Sequence, residues 1–157
     1  ELYSFGIFSL FQQYLKLSGI SNYPVHIKLD TGMHRLGFET KDLFELGNLL
    51  HTSGPFKVQS VFSHLAASDS PEHDSFTRLQ AAEFLRGCEI LQTALGYSFI
   101  RHIANTSSIH RHPALQLDMV RLGIGLYGID NNAAMQAKLK NVSTLKTTIS
   151  QIKKIKK

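Results

Sequence analysis

The sequence has a single cysteine, and its last twenty residues contain no Asp or Glu. Each lack excludes something. One thiol, Cys88, cannot close an internal disulfide, so a disulfide-stapled secreted scaffold is ruled out and a reducing cytoplasm fits. No apolar run approaches the roughly 18 residues of a membrane span, and no basic-then-apolar segment opens the chain. A membrane is therefore not expected as a partner. The acid-free tail accounts for the net charge of +5: Lys138, Lys140, Lys146, Lys153, Lys154, Lys156 and Lys157 supply it, whereas residues 1–137 hold 10 Lys and Arg against 12 Asp and Glu, a net −2. Polyanion binding would rest on the tail alone, so nucleic acid is not expected either. Metal-ligand spacing is also lacking. His110 and His112 stand two apart, and Asp69, His73 and Asp74 cluster, but neither set matches a zinc or two-metal motif.

What is present suffices for one domain with a buried core, since 43% of the 157 residues are hydrophobic and 18% are charged. Ser4 predicts the cap of a helix that Gly19 stops near Leu17. A strand follows over 25–29. Thr40 or Lys41 opens a second helix with Leu43, Phe44, Leu46, Leu49 and Leu50 inward, ended by Ser53, Gly54 and Pro55. A second strand over 57–64 delivers His64, a loop covers 68–74, and 76–95 forms a long helix with Phe84, Ile90 and Leu91 on its apolar stripe. A third strand spans 99–104. A polar connection over 109–117 leads to a fourth strand at 119–122. Residues 131–137 form a short linker, and 139–155 alternate like a strand of another kind of domain. Strands and helices that alternate in this way predict an α/β fold of parallel βα units. Four strands make either a small open sheet or half of an eight-stranded barrel, and both put the site at the C-terminal strand ends.

Those ends collect Lys28, Asp30 and Arg35, then His64, then Asn105 and Thr106, then Arg121 with Gly123 and Ile124. Hydroxyls, small residues and free backbone N–H groups after the last two strands are what a phosphate needs, although the glycines could equally serve a plain turn. His64 can be a general base, a metal ligand or a flat surface for an aromatic ring. Arg121 lies in an otherwise apolar segment and must find an acceptor, either a ligand or an ion pair with Asp118 or Asp30. Asn105 and Thr106 can cap or turn the chain. His26 and His102 are expected to be packed histidines, and Cys88 a core or boundary thiol.

Four segments together resemble the successive motifs of the alanine racemases, which are pyridoxal-phosphate (PLP) enzymes. They are Lys28-Leu29-Asp30-Thr31-Gly32-Met33-His34-Arg35-Leu36-Gly37-Phe38, Ser63-His64-Leu65-Ala66, His102-Ile103-Ala104-Asn105-Thr106, and Asp118-Met119-Val120-Arg121-Leu122-Gly123-Ile124-Gly125-Leu126-Tyr127-Gly128. The resemblance covers nearly the whole chain, in family order. It implies a TIM-type (β/α)8 barrel with residues 1–130 as its C-terminal half, 131–137 as a linker, and 138–157 as the first strand of a C-terminal β domain. It also implies a cytoplasmic homodimer that interconverts L- and D-alanine by two-base proton transfer and supplies D-alanine for the bacterial cell wall.

By the same resemblance His64 would stack on the cofactor ring and Arg121 would hydrogen-bond the ring nitrogen. Thr106, with backbone groups at Gly123 and Ile124, would hold the phosphate in a pocket shaped by Asn105. Arg35 would face the cofactor's phenolic oxygen and the substrate carboxylate, and Lys28 matches a position that is carbamylated in many members. Thr106 stands where serine is usual. The Schiff-base lysine and the opposite-face tyrosine of this family fall outside the chain, whose two ends look cut, so no catalytic base is expected within it. A broader-specificity amino-acid racemase and a non-catalytic PLP-binding module of the same fold are the alternatives.

Overall fold

The structure is a computed structural model that describes residues 1–52 and 54–155. Three parallel strands form its centre: β1 (Tyr23–Lys28), β2 (Phe56–Phe62) and β3 (Ile100–His102), paired in that order. Each is followed or preceded by helix, as a parallel connection requires. Helix α1 (Phe5–Leu17) starts where Ser4 accepts a hydrogen bond from the Ile7 N–H, and Gly19 follows it at φ +65°. A turn of 3-10 helix (Thr40–Asp42) leads into α2 (Leu43–Thr52), and another (Pro71–His73) leads into α3 (Asp74–Leu95). Gly96, left-handed at φ 72°, ends α3.

The register decides which residues share a face. Lys28 pairs with Phe62 and Phe62 with His102, while His26 pairs with Ser60 and Ser60 with Ile100. Paired residues point the same way, so one face of the sheet carries His26, Lys28, Ser60, Phe62 and His102. The other face contributes Ile27, Leu29 and Val61 to the core, where they meet Phe8 and Leu15 of α1, Leu43 and Leu46 of α2, and Phe84, Cys88 and Leu91 of α3. Close packing of α2 on α3 depends on Gly47, where an added Cβ would stand 2.7 Å from the Ala94 Cβ. Leu2 runs beside β1 at one sheet edge, bonded to the His26 carbonyl and the Lys28 N–H.

Several expectations need correction. The fourth strand does not form: 119–122 has no regular secondary structure, and beside β3 and the residues after it Asp118 and Arg121 donate backbone hydrogen bonds to the Arg101 and Ala104 carbonyls at 3.2 and 3.0 Å. With three residues in β3 there is little ladder to join. The alternating stretch 139–155 is not a strand either, since a strand needs a neighbour, and Leu145 and Ile155 are 99% and 93% exposed. Helix α4 (Thr106–Arg111) starts before the polar connection and runs into it, and the linker contains α5 (Ala133–Gln136). Phe44 turns outward, 76% exposed, because it falls between the buried positions 43 and 46 of α2. His26 is exposed rather than packed, whereas His102 is buried. Ser53, expected to help end α2, lies outside the described residues, as do Lys156 and Lys157. No described helix is long and apolar enough to cross a membrane.

Candidate functional site

At the C-terminal end of the sheet a cavity of about 360 Å³ is lined by His64, Asn105, Thr106, Arg121, Gly123 and Ile124, with Met33, Asp69 and Asn131 at its margin. Six of the predicted residues therefore meet in one place. A larger cleft of about 540 Å³ lies beside the N-terminal parts of β2 and β3. Its charges at Arg101 and Asp118 already neutralise each other through hydrogen bonds of 2.9 and 3.2 Å, so the smaller cavity is the candidate site. That pairing holds the Asp118 carboxyl below its usual range.

Arg121 reaches this cavity from the irregular segment 119–123, and it pairs with neither Asp118 nor Asp30. Its Nη2 donates to the Ser63 carbonyl at 2.5 Å and to that of Ile103 at 3.3 Å, while Nη1 donates to the carbonyl and the Nδ1 of His102, at 3.3 and 2.8 Å. The guanidinium is thus fixed by the backbones of two strand ends and an imidazole. Its Nε makes no hydrogen bond among the described residues. Accepting from an arginine at Nδ1 puts the His102 proton on Nε2, which donates to Ser60 Oγ (3.0 Å), and Ser60 Oγ shares a second hydrogen bond with His26 Nδ1 (2.6 Å). Burial, then Arg121, then His26 push the His102 pKa down to about 4. The Phe62 ring stacks on His102 at 5.0 Å, with the Arg121 guanidinium 5.1 Å from its centre.

Thr106 opens α4, and its Oγ1 accepts from the Gly123 N–H at 3.0 Å and the Gly125 N–H at 3.2 Å. Two backbone donors therefore converge on one hydroxyl at the cavity wall. A Cβ at Gly125 would lie 2.7 Å from the Thr106 methyl, so this approach requires glycine. The sequence assigns the phosphate to Gly123 and Ile124 and groups Gly125 with Gly123 only as a turn glycine, whereas Gly125 also donates to Thr106. Asn105 is the cap of α4: its Oδ1 accepts from the Ser108 N–H (3.2 Å) and from Ser68 Oγ (2.8 Å), and its Nδ2 donates to the Leu65 carbonyl (3.4 Å). It ties the loop after β2 to the helix after β3.

His64 stands half-buried on that loop, its pKa lowered by burial and then by Arg121, Arg35 and Lys28, so the ring is neutral at pH 7. Gln80 of α3, fully buried, brackets it: Gln80 Nε2 donates to the His64 carbonyl at 3.3 Å, and Oε1 accepts from the Ala66 N–H at 2.9 Å. This residue was missed, although a glutamine on the same helical face as Phe84 and Leu91 is a visible signal. The loop is held further by Arg111, which donates to the Ser68 carbonyl and to Asp74.

Lys28 and Arg35 lie apart from this group. Lys28 is 8% exposed, 3.5 Å from the Glu1 carboxylate and 5.6 Å from the Phe62 ring centre. Arg35 is exposed on the loop that Asp30 shapes by accepting from the Gly32 and His34 N–H groups, both at 3.0 Å. Among the described residues no hydrogen bond or ion pair joins Lys28 to Arg35. His110 faces Asp130 and His112 faces Asp74, and among the described residues no three potential ligands gather for a metal.

Comparison with known proteins gives this arrangement a family. Residues 9–131 match the family described as "Alanine racemase, N-terminal domain". The alanine racemase of Symbiobacterium thermophilum is 36% identical over 131 residues, which are 82% of this chain and 34% of that protein. The structure of alanine racemase from Streptomyces lavendulae superimposes with a TM-score of 0.78 at 26% identity, covering 87% of this chain and 37% of that one. Alanine racemase from Bartonella henselae, solved with covalently bound pyridoxal phosphate, gives 0.68 at 28% identity, over 82% and 36%. The chain spans about a third of the length of the relatives it matches. The matched stretch includes both strand-end loops, the capped helix α4 and the glycine turn that form the cavity, and on that match the chain belongs to the alanine racemase N-terminal-domain family.

Proposed function

We propose that this chain is the cofactor-holding part of a PLP-dependent alanine racemase, with residues 1–130 forming the C-terminal half of a (β/α)8 barrel, 131–137 a connector, and 138–157 the entry to a C-terminal β domain. The observation that carries the reading is the convergence of His64, Thr106, Arg121 and the glycine turn on one cavity at the strand ends. Its donors fit the group. Thr106 Oγ1 accepts from the Gly123 and Gly125 N–H groups, which leaves its own proton, beside the turn at Gly123 and Ile124, to suit a phosphate oxygen, and the neutral His64 imidazole suits the face of a pyridine ring. Among the described residues Arg121 Nε has no acceptor and is left for the ring nitrogen, while its other two nitrogens are spent on the fold.

PLP, when bound, supplies the electron sink that lets an amino acid lose its α-proton. Arg121 is permanently cationic and therefore disfavours a proton on the ring nitrogen, which tempers that sink compared with a carboxylate partner. His64 stays neutral because its burial disfavours the charged ring and the charges of Arg121, Arg35 and Lys28 oppose it further, so it adds an aromatic surface without adding charge. Arg35, on its exposed loop, is the group available for a substrate carboxylate, which a guanidinium can hold bidentately. Lys28 is the candidate for carbamylation, and the proton-transferring lysine and tyrosine come from outside residues 1–157. The intact protein would act as a cytoplasmic homodimer.

Borohydride trapping of PLP in the intact protein, peptide mapping, and an assay of D- and L-alanine interconversion test the reading together. Trapped cofactor and interconversion are expected. A protein that binds no PLP, or an Arg121→Ala variant with unchanged cofactor absorbance, refutes it.

A further inference from the structure

Strand β2 ends at Phe62, and the ladder to β3 gives out with a last hydrogen bond of 3.4 Å from the Ser63 N–H to the His102 carbonyl. His64 and Ala66 therefore lie past the point where a neighbouring strand can fix the backbone. Gln80 takes over that task. One planar side-chain amide offers a donor and an acceptor at the spacing of a peptide group. It takes the His64 carbonyl and the Ala66 N–H, on either side of the buried Leu65. Gln80 is itself 0% exposed, on the face of α3 that also buries Thr77, Ala81 and Phe84, so its amide has no water to turn to and its rotamer is confined. The same side chain supports the neighbouring loop as well, since an added Cβ at Gly32 would meet Gln80 Cγ at 3.4 Å and the Phe76 ring at 3.1 Å.

We propose that Gln80 is the positioning residue for His64: from α3 it substitutes for a missing strand and sets the plane of the imidazole against the cofactor ring. This assignment rests on the cofactor reading above. An apolar residue of the same length would fill the space but leave the His64 carbonyl and the Ala66 N–H unpaired, freeing the peptide that carries the ring. Glutamate would keep the acceptor for Ala66 and lose the donor for His64.

The test is a double-substitution cycle in the intact holoenzyme, read by the visible circular dichroism of bound PLP and by the dissociation constant for PLP. Gln80→Met is expected to weaken PLP binding roughly tenfold and to reduce the visible ellipticity, with Gln80→Glu intermediate. In a His64→Ala background the Gln80→Met change should add almost nothing, because the ring it positions is gone. Additive effects in the two backgrounds, or unchanged ellipticity in Gln80→Met, would overturn the assignment. Should Gln80→Met fail to fold, Gln80→Glu in the same cycle decides between coupled and additive. If His64→Ala alone leaves the cofactor signal intact, the cofactor reading has failed first, and this result is distinct from additivity at Gln80.

Discussion

His102 allows the sharpest test of the buried network, because its two hydrogen bonds fix both its tautomer and its charge. Arg121 Nη1 donates to Nδ1, and Nε2 donates to Ser60. A proton added at Nδ1 would be forced against a guanidinium at 2.8 Å, in a side chain only 5% exposed. The folded pKa of about 4 compares with about 6.5 for a histidine in an unfolded chain. Between those values only the unfolded chain takes the proton, so stability is full above pH 6.5 and falls as the pH drops toward 4. At 1.36 kcal/mol per pH unit the loss from this residue is about 3 kcal/mol. Urea unfolding of the wild type and of His102→Gln at pH 7.5, 6, 5 and 4 reads it directly. Whatever the variant loses at pH 7.5, its stability should fall less steeply on acidification, and the difference between the two slopes should approach one proton between pH 6 and 4.5. His64 and His112, both lowered chiefly by burial, contribute in the same direction to both proteins and so cancel. Parallel slopes for the two proteins would refute the deduced tautomer and charge.

Burial pushes the Cys88 thiol up to about 12, so a disulfide reagent at pH 8 should label it far more slowly in the folded protein than in urea, and equal rates would contradict its burial. At Gly37, φ is +137° and an added Cβ would lie 2.4 Å from the Asp30 nitrogen, so Gly37→Ala should cost about 3 kcal/mol or more in urea unfolding. A cost near zero would mean that the loop after β1 is not closed as described. Gly125→Ala should cost about 1–3 kcal/mol by collision with the Thr106 methyl and Leu122 Cδ1, and Thr106→Ser in the same chain should recover part of it. No recovery would place the collision elsewhere.

The parallel α/β core was legible because α1, α2 and α3 each combine an apolar stripe with a recognisable end, such as Ser4 before α1 or Gly96 after α3. The fourth and final strands were not, for a physical reason: alternation states which side a residue would face if a neighbour were present, and it does not supply the neighbour. Residues 119–122 meet a three-residue strand, and 145, 149, 152 and 155 meet nothing that buries them. Phe44 failed similarly, since helical spacing allows a stripe wider than the core it serves.

Within the cavity, the residues that sequence could find are those whose chemistry is unusual for their place. Arg121 in an apolar segment is one, and its acceptor could not be deduced because all four of its bonds go to groups that every sequence has or that look like packing: three carbonyls and a histidine. This also explains why the guanidinium can be fixed here without a carboxylate. A carboxylate partner would cancel its charge, whereas carbonyl dipoles and a neutral imidazole orient it and leave the charge intact. Burial lowers the Arg121 pKa from its usual value but leaves the group cationic at pH 7. An arginine that must stay charged toward an acceptor in the cavity requires partners of this kind, and the low pKa of His102 keeps one of them uncharged.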